Sequence, residues 1–359
     1  MMYDDNATDD FWHVFFSCSV ELDHRSRRMM LFFIYLMSFV VGLTANSVVL
    51  WVNWQRRHSS SPEVFCTLNM SVSHLMVMTI MPAFLLEVMM DDVWTWGSFM
   101  CHFTNFIYEF NYYSTSFFLA YLSVERYLSV TREPTATAAR PWGVNEKRRR
   151  AGICAGLWIF ALLLSPVMVS NMQLIEYHEP GCYLLPDRNH EFWMAIITMT
   201  SFVFQFLIPG GVILTCNWLT AQALRRSPEL QSRTDVDMRM CHVYSAVFLL
   251  HWLPYHIISI IMMVDTLDPY QLNCDTIAIV YYSAYLLLSL SHFHYITNPV
   301  LYNLLRPGFR KTLLKQLARY VRRHAQLPGE DGRVEEAGGK GKPQRKMSNA
   351  STTSQSDVE

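Results

Sequence analysis

The sequence predicts an all-α membrane protein: a seven-transmembrane helix bundle followed by a short amphipathic eighth helix. Three observations carry this expectation. The apolar residues of the 359-residue chain fall in seven long blocks, each near or above the ~20 residues a helix needs to cross a bilayer. Lys and Arg gather in alternate connections between the blocks. Several blocks also keep a proline in their interior, which a soluble helix tolerates poorly, at about 3 kcal/mol.

The blocks run roughly over 30–54, 64–90, 100–131, 150–170, 192–224, 239–264 and 276–303. Pro82, Pro166, Pro209, Pro254 and Pro299 lie within them. Inside a membrane, groups on neighbouring helices satisfy the carbonyl that a proline frees, so kinks are tolerated. After the last block comes "RPGFRKTLLKQLARYVRR", which is basic and amphipathic and reads as a short helix on the membrane surface. The predicted organisation is an acidic outer segment over 1–28, the bundle over 29–304, the juxtamembrane helix over 305–324, and a Gly-, Lys- and Ser-rich cytoplasmic tail over 325–359, expected to be disordered. The start, "MMYDDNATDDF", lacks a basic stretch followed by an apolar one, so no cleaved signal peptide is expected.

Basic residues set the orientation. The connections near 56, over 132–150 and over 225–239, with the tail up to 323, hold most of the Lys and Arg; the opposite side holds Arg25, Arg27, Arg28 and Arg188. The first block alone is ambiguous, because Arg56 and Arg57 face those N-terminal arginines. The sum predicts an outer N-terminus and a cytoplasmic C-terminus at the plasma membrane. The outer segments are rich in acids, among them Asp4, Asp5, Asp9, Asp10, Glu87, Asp91, Asp92, Glu176, Glu179, Asp265, Asp268 and Asp275. A negative outer face attracts a cationic partner and speeds its encounter; the simpler reading is a solvated, soluble rim.

The formal net charge of −1 gives no pointer to nucleic acid, and eight cysteines in so long a chain do not make a small disulfide-stapled scaffold. No Ser/His/Asp set, phosphate-binding loop or zinc spacing suggests an enzyme, and no cofactor or metal is expected. Internal repeats and paired broken helices, the marks of a transporter, are not found. Cys18, Cys101, Cys182 and Cys274 fall on the outer, oxidising side, where disulfides persist. The expected pairs are Cys101–Cys182 and Cys18–Cys274. Cys66, Cys154, Cys216 and Cys241 lie within blocks or at their inner ends and read as packing thiols.

Short motifs follow in order along the chain: "GLTAN" with Asn46, Trp96 before Cys101, "SVERY" with Arg126, Trp158, Pro209, "HWLPY" with Trp252 and Pro254, and "TNPVLYN" with Asn298, Pro299 and Tyr302. Together they resemble the rhodopsin-like (class A) G-protein-coupled receptors, over about residues 18–320. The Cys18–Cys274 pair, Pro82, Asn111, the short third inner loop and "SHFHYITNP" lean toward the chemokine and peptide-receptor branch. "VVGLTANSVVLWVNW", "LEVMMDDVWTWGSFMCHFT" and "LSVERYLSVT" resemble an atypical chemokine receptor, the one formerly taken for an adrenomedullin receptor. That resemblance implies a scavenger that binds several cationic chemokines and internalises them with weak G-protein coupling; the alternative is a conventional signalling receptor for a basic peptide. A retinal photoreceptor needs a lysine in the last span, and this chain has none between Lys147 and Lys311.

The resemblance also assigns roles. His74, in "LNMSVSHLMVMTIMP", stands where the family usually carries a sodium-binding aspartate, with Asn111, Thr115 and Asn298 as neighbouring polar groups and Tyr295 to fill the space. A dry cavity holds a cation only with a counter-charge, so His74 implies a receptor without a sodium lock; a neutral histidine bonded to Asn298 or Asn46 is the packing alternative. Arg126, beside Glu125, is the family's inner switch. One of its usual tyrosine partners is replaced by Asn217 and the other is Tyr302; the usual locking acid of the sixth span is absent, with Thr234 there and Asp235 one place off; Pro134 is displaced by one. Loss of one hydrogen-bonding partner weakens the active arrangement by about 1 kcal/mol.

The implied ligand cavity comprises Phe84, Glu87, Tyr108, Glu109, Trp252, Tyr255, His256, Leu288 and His292, with Glu87 and Glu109 as acceptors for an Arg or Lys of the ligand. Leu288 stands where chemokine receptors often have a glutamate. Glu109 has an internal alternative, a hydrogen bond to Tyr108 or His256. Asn6 opens a glycosylation sequon on the outer side, whereas the sequons at Asn69 and Asn349 fall in a span and inside the cell. Tyr3, next to Asp4 and Asp5, suits sulfation. Ser348, Ser351, Thr352, Thr353, Ser354 and Ser356 form a cluster whose phosphorylation would present dense negative charge to a basic partner such as arrestin. The expected partners are therefore a basic chemokine or peptide ligand, arrestin, a heterotrimeric G protein and membrane lipid.

Overall fold

A computed structural model describes residues 24–57, 62–131, 144–177, 179–227, 238–268 and 272–325. Eight helices follow the predicted order: α1 His24–Gln55, α2 Pro62–Met89, α3 Gly97–Thr131, α4 Val144–Leu164, α5 His190–Arg226, α6 Met238–Leu267, α7 Cys274–Leu304 and α8 Pro307–Ala325. Each spanning helix starts a few residues before its apolar block, because a helix continues past the hydrocarbon edge into the headgroup layer, whereas α4 ends at Leu164, short of its expected end at 170.

Six of these helices are long and apolar enough to cross a membrane; α3 is the exception among the seven expected spans. The physical reason is its place. It packs against α2, α4 and α5, and Ser114, Thr115 and Ser116 on it are fully buried. A helix shielded from lipid by its neighbours has no need of an apolar outer face, and the Ser114 hydroxyl finds Ser73 on α2 at 2.7 Å. Phe33, Leu163, Leu250 and Ile279 on the peripheral helices are exposed instead, as lipid-facing positions are.

Prolines shape the spans as their chemistry requires. α5 widens to a π-helix over Phe202–Leu207 directly before Pro209, and α7 does so over Val300–Leu304 directly after Pro299. Ahead of Pro209 the bulge relieves a ring that lacks an N–H and crowds the preceding turn, whereas the bulge of α7 lies in the turn after its proline. α7 also breaks at His292 and Phe293. α4 halts at Ser165, with a single further turn over Pro166–Val169. The Asn273 side chain caps α7 by accepting from the Thr276 amide at 2.9 Å.

The expected all-helical chain contains one addition, a hairpin of β1 Met172–Tyr177 and β2 Glu179–Leu184, antiparallel with Met172 opposite Leu184. Cys182 on β2 is bonded to Cys101 in the first turn of α3, as expected. The contacts divide the chain into one unit ending at Leu314 and another beginning at Lys315. Within the first, Phe309 of α8 is buried against Val49 and Val52 of α1.

Candidate ligand cavity and inner switch

At the outer end, the hairpin is pinned by the disulfide and by a hydrogen bond from the Trp94 amide to the Pro180 carbonyl at 2.7 Å. Trp94 is buried against Cys101, with its indole N–H donating to the Gly97 carbonyl at 3.0 Å, whereas Trp96 is exposed. Of the two tryptophans in "VWTWG", the structure thus uses the one that the motif match passed over. The rim is less negative than the sequence suggests. Arg27 pairs with Asp92 and Arg28 with Asp91, tying the start of α1 to the turn after α2. Asp91 and Asp92 are both left-handed, with φ of 62° and 66°, a conformation that aspartate tolerates better than most residues.

Below the rim, aromatic and imidazole side chains from α1, α2, α3 and α7 converge. Phe84 packs on Trp94 and on Tyr108, whose ring centroid is 5.7 Å away. The Tyr108 hydroxyl is hydrogen-bonded to the His292 imidazole and accepts from the Tyr112 hydroxyl at 2.6 Å. Tyr35 packs against His292, with ring centroids 5.0 Å apart and planes tilted by 53°, although nothing in the motifs marked it. Trp252 packs edge-on against Tyr112 at 5.0 Å, and His256 against Phe206 at 5.1 Å and Tyr255 at 5.2 Å. Leu288 lines the core cluster beside Tyr108 and Trp252 and lends its carbonyl to His292.

The two acids differ. Glu87 is half-buried near the outer end of α2, while Glu109 is buried to 7 % exposure in α3. Neither internal alternative for Glu109 forms: Tyr108 is engaged with His292 and Tyr112, and the Nε2 of His256 has no hydrogen-bond partner. Residues 108 and 109 are adjacent on a helix and point about 100° apart, which separates them although they neighbour in sequence. Among the described residues no Arg or Lys pairs with Glu109.

At mid-depth, His74 is buried and bonded through Nδ1 to the Asn46 side-chain oxygen at 2.9 Å. Asn46 donates its amide nitrogen to the Gly42 and Tyr295 carbonyls, both at 2.8 Å, so its oxygen must accept and His74 Nδ1 must donate. Of the two partners that the sequence left open, Asn46 is the one found. Gly42 lets α1 approach this closely: a Cβ there would lie 3.3 Å from that of Tyr295. Tyr295 is fully buried beside His74, at 5.3 Å between centroids, and His294 lies at 5.4 Å. Asn111 donates to Ser73 at 2.8 Å, and Ser73 bonds Ser114 at 2.7 Å, joining α2 to α3. The Asn298 amide nitrogen, Asn111 oxygen and Thr115 hydroxyl have no hydrogen-bond partner.

At the inner end, Arg126 and Glu125 point apart. Glu125 accepts from the Tyr121 hydroxyl at 2.7 Å and pairs with Arg149 at 3.3 Å and Arg150 at 3.4 Å, both on α4. Arg126 meets Glu63 at the start of α2, Nε to Oε1 at 3.7 Å, and Glu63 also pairs with Arg306. The Arg126 guanidinium lies over the Tyr244 ring at 4.4 Å and the Tyr302 ring at 5.8 Å. Asn217 donates to Ser245 at 3.1 Å instead.

The family described as "7 transmembrane receptor (rhodopsin family)" matches residues 45–302, which carry most of the residues just described, with Tyr35, Gly42 and Arg306 among those outside the match. The chain belongs to the rhodopsin family of seven-transmembrane receptors. Membership makes it a multi-pass membrane receptor and not an enzyme. The chain is 34% identical to G-protein coupled receptor 182 of Homo sapiens over 314 residues, 87% of this chain and 76% of the relative. It is 28% identical to atypical chemokine receptor 3 of Canis lupus familiaris over 287 residues, covering 79% of this chain and 77% of that one. To the type-1 angiotensin II receptor A of Xenopus laevis it is 26% identical over 318 residues, 88% and 86% of the two chains.

In this rhodopsin-family receptor, sequence motifs named one residue at each candidate switch position but not what surrounds it. Glu63, Arg306, Tyr244, Arg149 and Arg150 lie outside the motifs. Their signal is faint: Glu63 follows the Pro62 that opens α2, and Tyr244 stands ten places before Pro254 on α6. Cys274 is disulfide-bonded; Cys18, its expected partner, lies outside the described residues, as do Tyr3, Asn6, Pro134, Thr234, Asp235, Asn349 and the cluster from Ser348 to Ser356.

Proposed function

We propose that this receptor binds cationic chemokines or similar basic peptides at the cell surface and internalises them with weak G-protein coupling. The observation that carries the reading is Asn217. Where the family supplies a tyrosine for Arg126, this chain has an amide side chain bonded to Ser245 at 3.1 Å. The name of the relative at 28% identity, an atypical chemokine receptor, agrees with an atypical receptor. For the ligand end, a buried Glu109 without a paired cation supports recognition of an Arg or Lys, and the acidic N-terminal segment supports attraction of a basic protein.

The remaining assignments complete the proposal. The N-terminus is extracellular, glycosylated at Asn6, sulfated at Tyr3 and fastened to the rim by Cys18–Cys274. Helix α8, with its basic face, lies on the inner membrane surface. The phosphorylated tail recruits arrestin and carries the receptor to endosomes. Segments 1–28, 29–304, 305–324 and 325–359 divide these tasks.

A conventional signalling receptor is the second reading, favoured by Tyr244, which offers Arg126 the aromatic partner that Asn217 does not. The test gives cells a panel of labelled chemokines and measures uptake beside G-protein nucleotide exchange. Depletion of basic chemokines with little exchange is expected. Strong exchange without depletion selects the conventional reading.

A further inference from the structure

We propose that Glu63 withholds Arg126 from a G protein by holding it from α2, a helix that does not leave when the inner face opens. The inference rests on the weak-coupling reading above and gives it a residue.

Arg126 is 3% exposed, and a buried guanidinium needs a compensating charge. Its sequence neighbour Glu125 is engaged by Arg149, Arg150 and Tyr121. Among the described residues, Glu63 is the carboxylate within ion-pair distance of Arg126, at 3.7 Å. The other restraints on Arg126 are the faces of Tyr244 on α6 and Tyr302 on α7.

These restraints differ in what breaks them. α2 and α3 pack side by side and are bonded at mid-depth through Ser73, Ser114 and Asn111, so Glu63 travels with Arg126. α6 packs on α5 and α7, so its inner end can swing away and take only Tyr244 with it. An acid on α6 would release Arg126 as that helix moved. An acid on α2 keeps it. An inner face that opens for a partner while Arg126 stays paired separates opening from presentation of the arginine. Arg306 binds the second oxygen of the same carboxylate. It competes with Arg126 for that carboxylate and so weakens the hold of Glu63 on Arg126.

The test uses the full-length receptor in lipid nanodiscs, without added ligand, and reads basal GTPγS exchange on a panel of purified heterotrimeric G proteins. It is run in the native chain and in an Asn217→Tyr background, where exchange is easier to detect. Glu63→Gln is expected to raise exchange about fivefold, the factor corresponding to ~1 kcal/mol at 1.4 kcal/mol per decade. Glu63→Asp, which keeps the charge on a shorter arm, falls between Gln and wild type. Glu146→Gln removes an acid of α4 that pairs with Arg149 at 3.0 Å and not with Arg126, and leaves exchange where it was. Arg306→Gln lowers exchange in the Asn217→Tyr background, because Glu63 then serves Arg126 alone. Melting temperature is followed for each variant. A folded Glu63→Gln protein with no rise in either background overturns the proposal. So does a rise with Arg306→Gln, which decides the matter even if Glu63→Gln fails to fold. Strong exchange by the wild-type chain removes the weak-coupling reading, while the ratio of Glu63→Gln to wild type still decides the role of Glu63.

Discussion

Tyr244 lies flat on Tyr302, with ring centroids 4.4 Å apart and an interplanar angle of 12°. The pair joins α6 to α7 under Arg126, whose guanidinium caps the Tyr244 face at 4.4 Å. Stacked aromatics contribute about 0.5–1.5 kcal/mol beyond their area burial, and a desolvated cation over a ring adds ~2 kcal/mol. The inner face of this receptor is therefore closed by rings as well as by ions.

Tyr244→Ala should accordingly cost about 3–5 kcal/mol, as large-to-small changes of buried aromatics do, and raise ligand-independent arrestin recruitment several-fold. Tyr244→Phe keeps the stack and loses only a long hydrogen bond to the Leu301 carbonyl at 3.5 Å, so it should stay close to wild type. Thermal melting and a proximity assay for arrestin check both, and equal behaviour of Phe and Ala would refute the stacking role.

His74 donates to Asn46 and brings no negative charge to a cavity whose other polar groups, Asn111, Thr115 and Asn298, are neutral. Replacing choline by sodium in the buffer should leave the melting temperature of the wild-type receptor unchanged. His74→Asp supplies the missing counter-charge. Its melting temperature should climb by a few degrees with sodium, since a ligand that binds only the folded state stabilises it. A sodium response in the wild type, or none in the variant, goes against the reading of His74.

Arg27 and Arg28 neutralise Asp92 and Asp91 at the rim. Exposed ion pairs are worth only ~0–1 kcal/mol, so the double change Arg27→Ala with Arg28→Ala should cost little stability. It should instead free two carboxylates and speed the association of a basic chemokine about two- to fivefold at low salt, an advantage that fades once the Debye length falls to roughly 3 Å at 1 M salt. Surface plasmon resonance over a salt series measures this. An unchanged association rate for a chemokine that the cell assay shows to be taken up would remove the rim from the encounter step.

Asn69 forms part of a sequon by pattern, yet its side chain donates to the Phe65 carbonyl at 2.8 Å and accepts from the Trp158 indole at 2.9 Å. Asn6→Gln should abolish the mobility shift that a glycosidase produces on gels. Asn69→Gln should leave the shift intact and lower thermal stability by about 1 kcal/mol through the lost hydrogen bonds.

How far the sequence reaches is clearest at α3. Hydropathy places its ends at 100–131 against the observed Gly97–Thr131, because a helix that must cross a membrane needs the same length whatever it touches. Pro209 and Pro299 were legible for a similar reason, since a missing N–H acts locally; Cys101 and Cys182, 81 residues apart, were legible because both fall on the oxidising side. The hairpin at Met172–Tyr177 and Glu179–Leu184 was not, since two short outer strands leave no periodic apolar trace long enough to read.

By itself, then, the sequence determined the spans and the prolines within them, which follow from chain-local chemistry and from the bilayer as solvent, while cysteine placement pointed to the outer disulfide and the family resemblance to the candidate switch residues. Only the tertiary structure decided who meets whom: that Glu125 turns to α4 while Arg126 turns to Glu63, that His74 takes Asn46, and that Arg27 and Arg28 occupy Asp92 and Asp91. Adjacent residues on a helix point about 100° apart, so the partner of a side chain is fixed by the packing of helices distant in sequence and cannot be read from its neighbours along the chain.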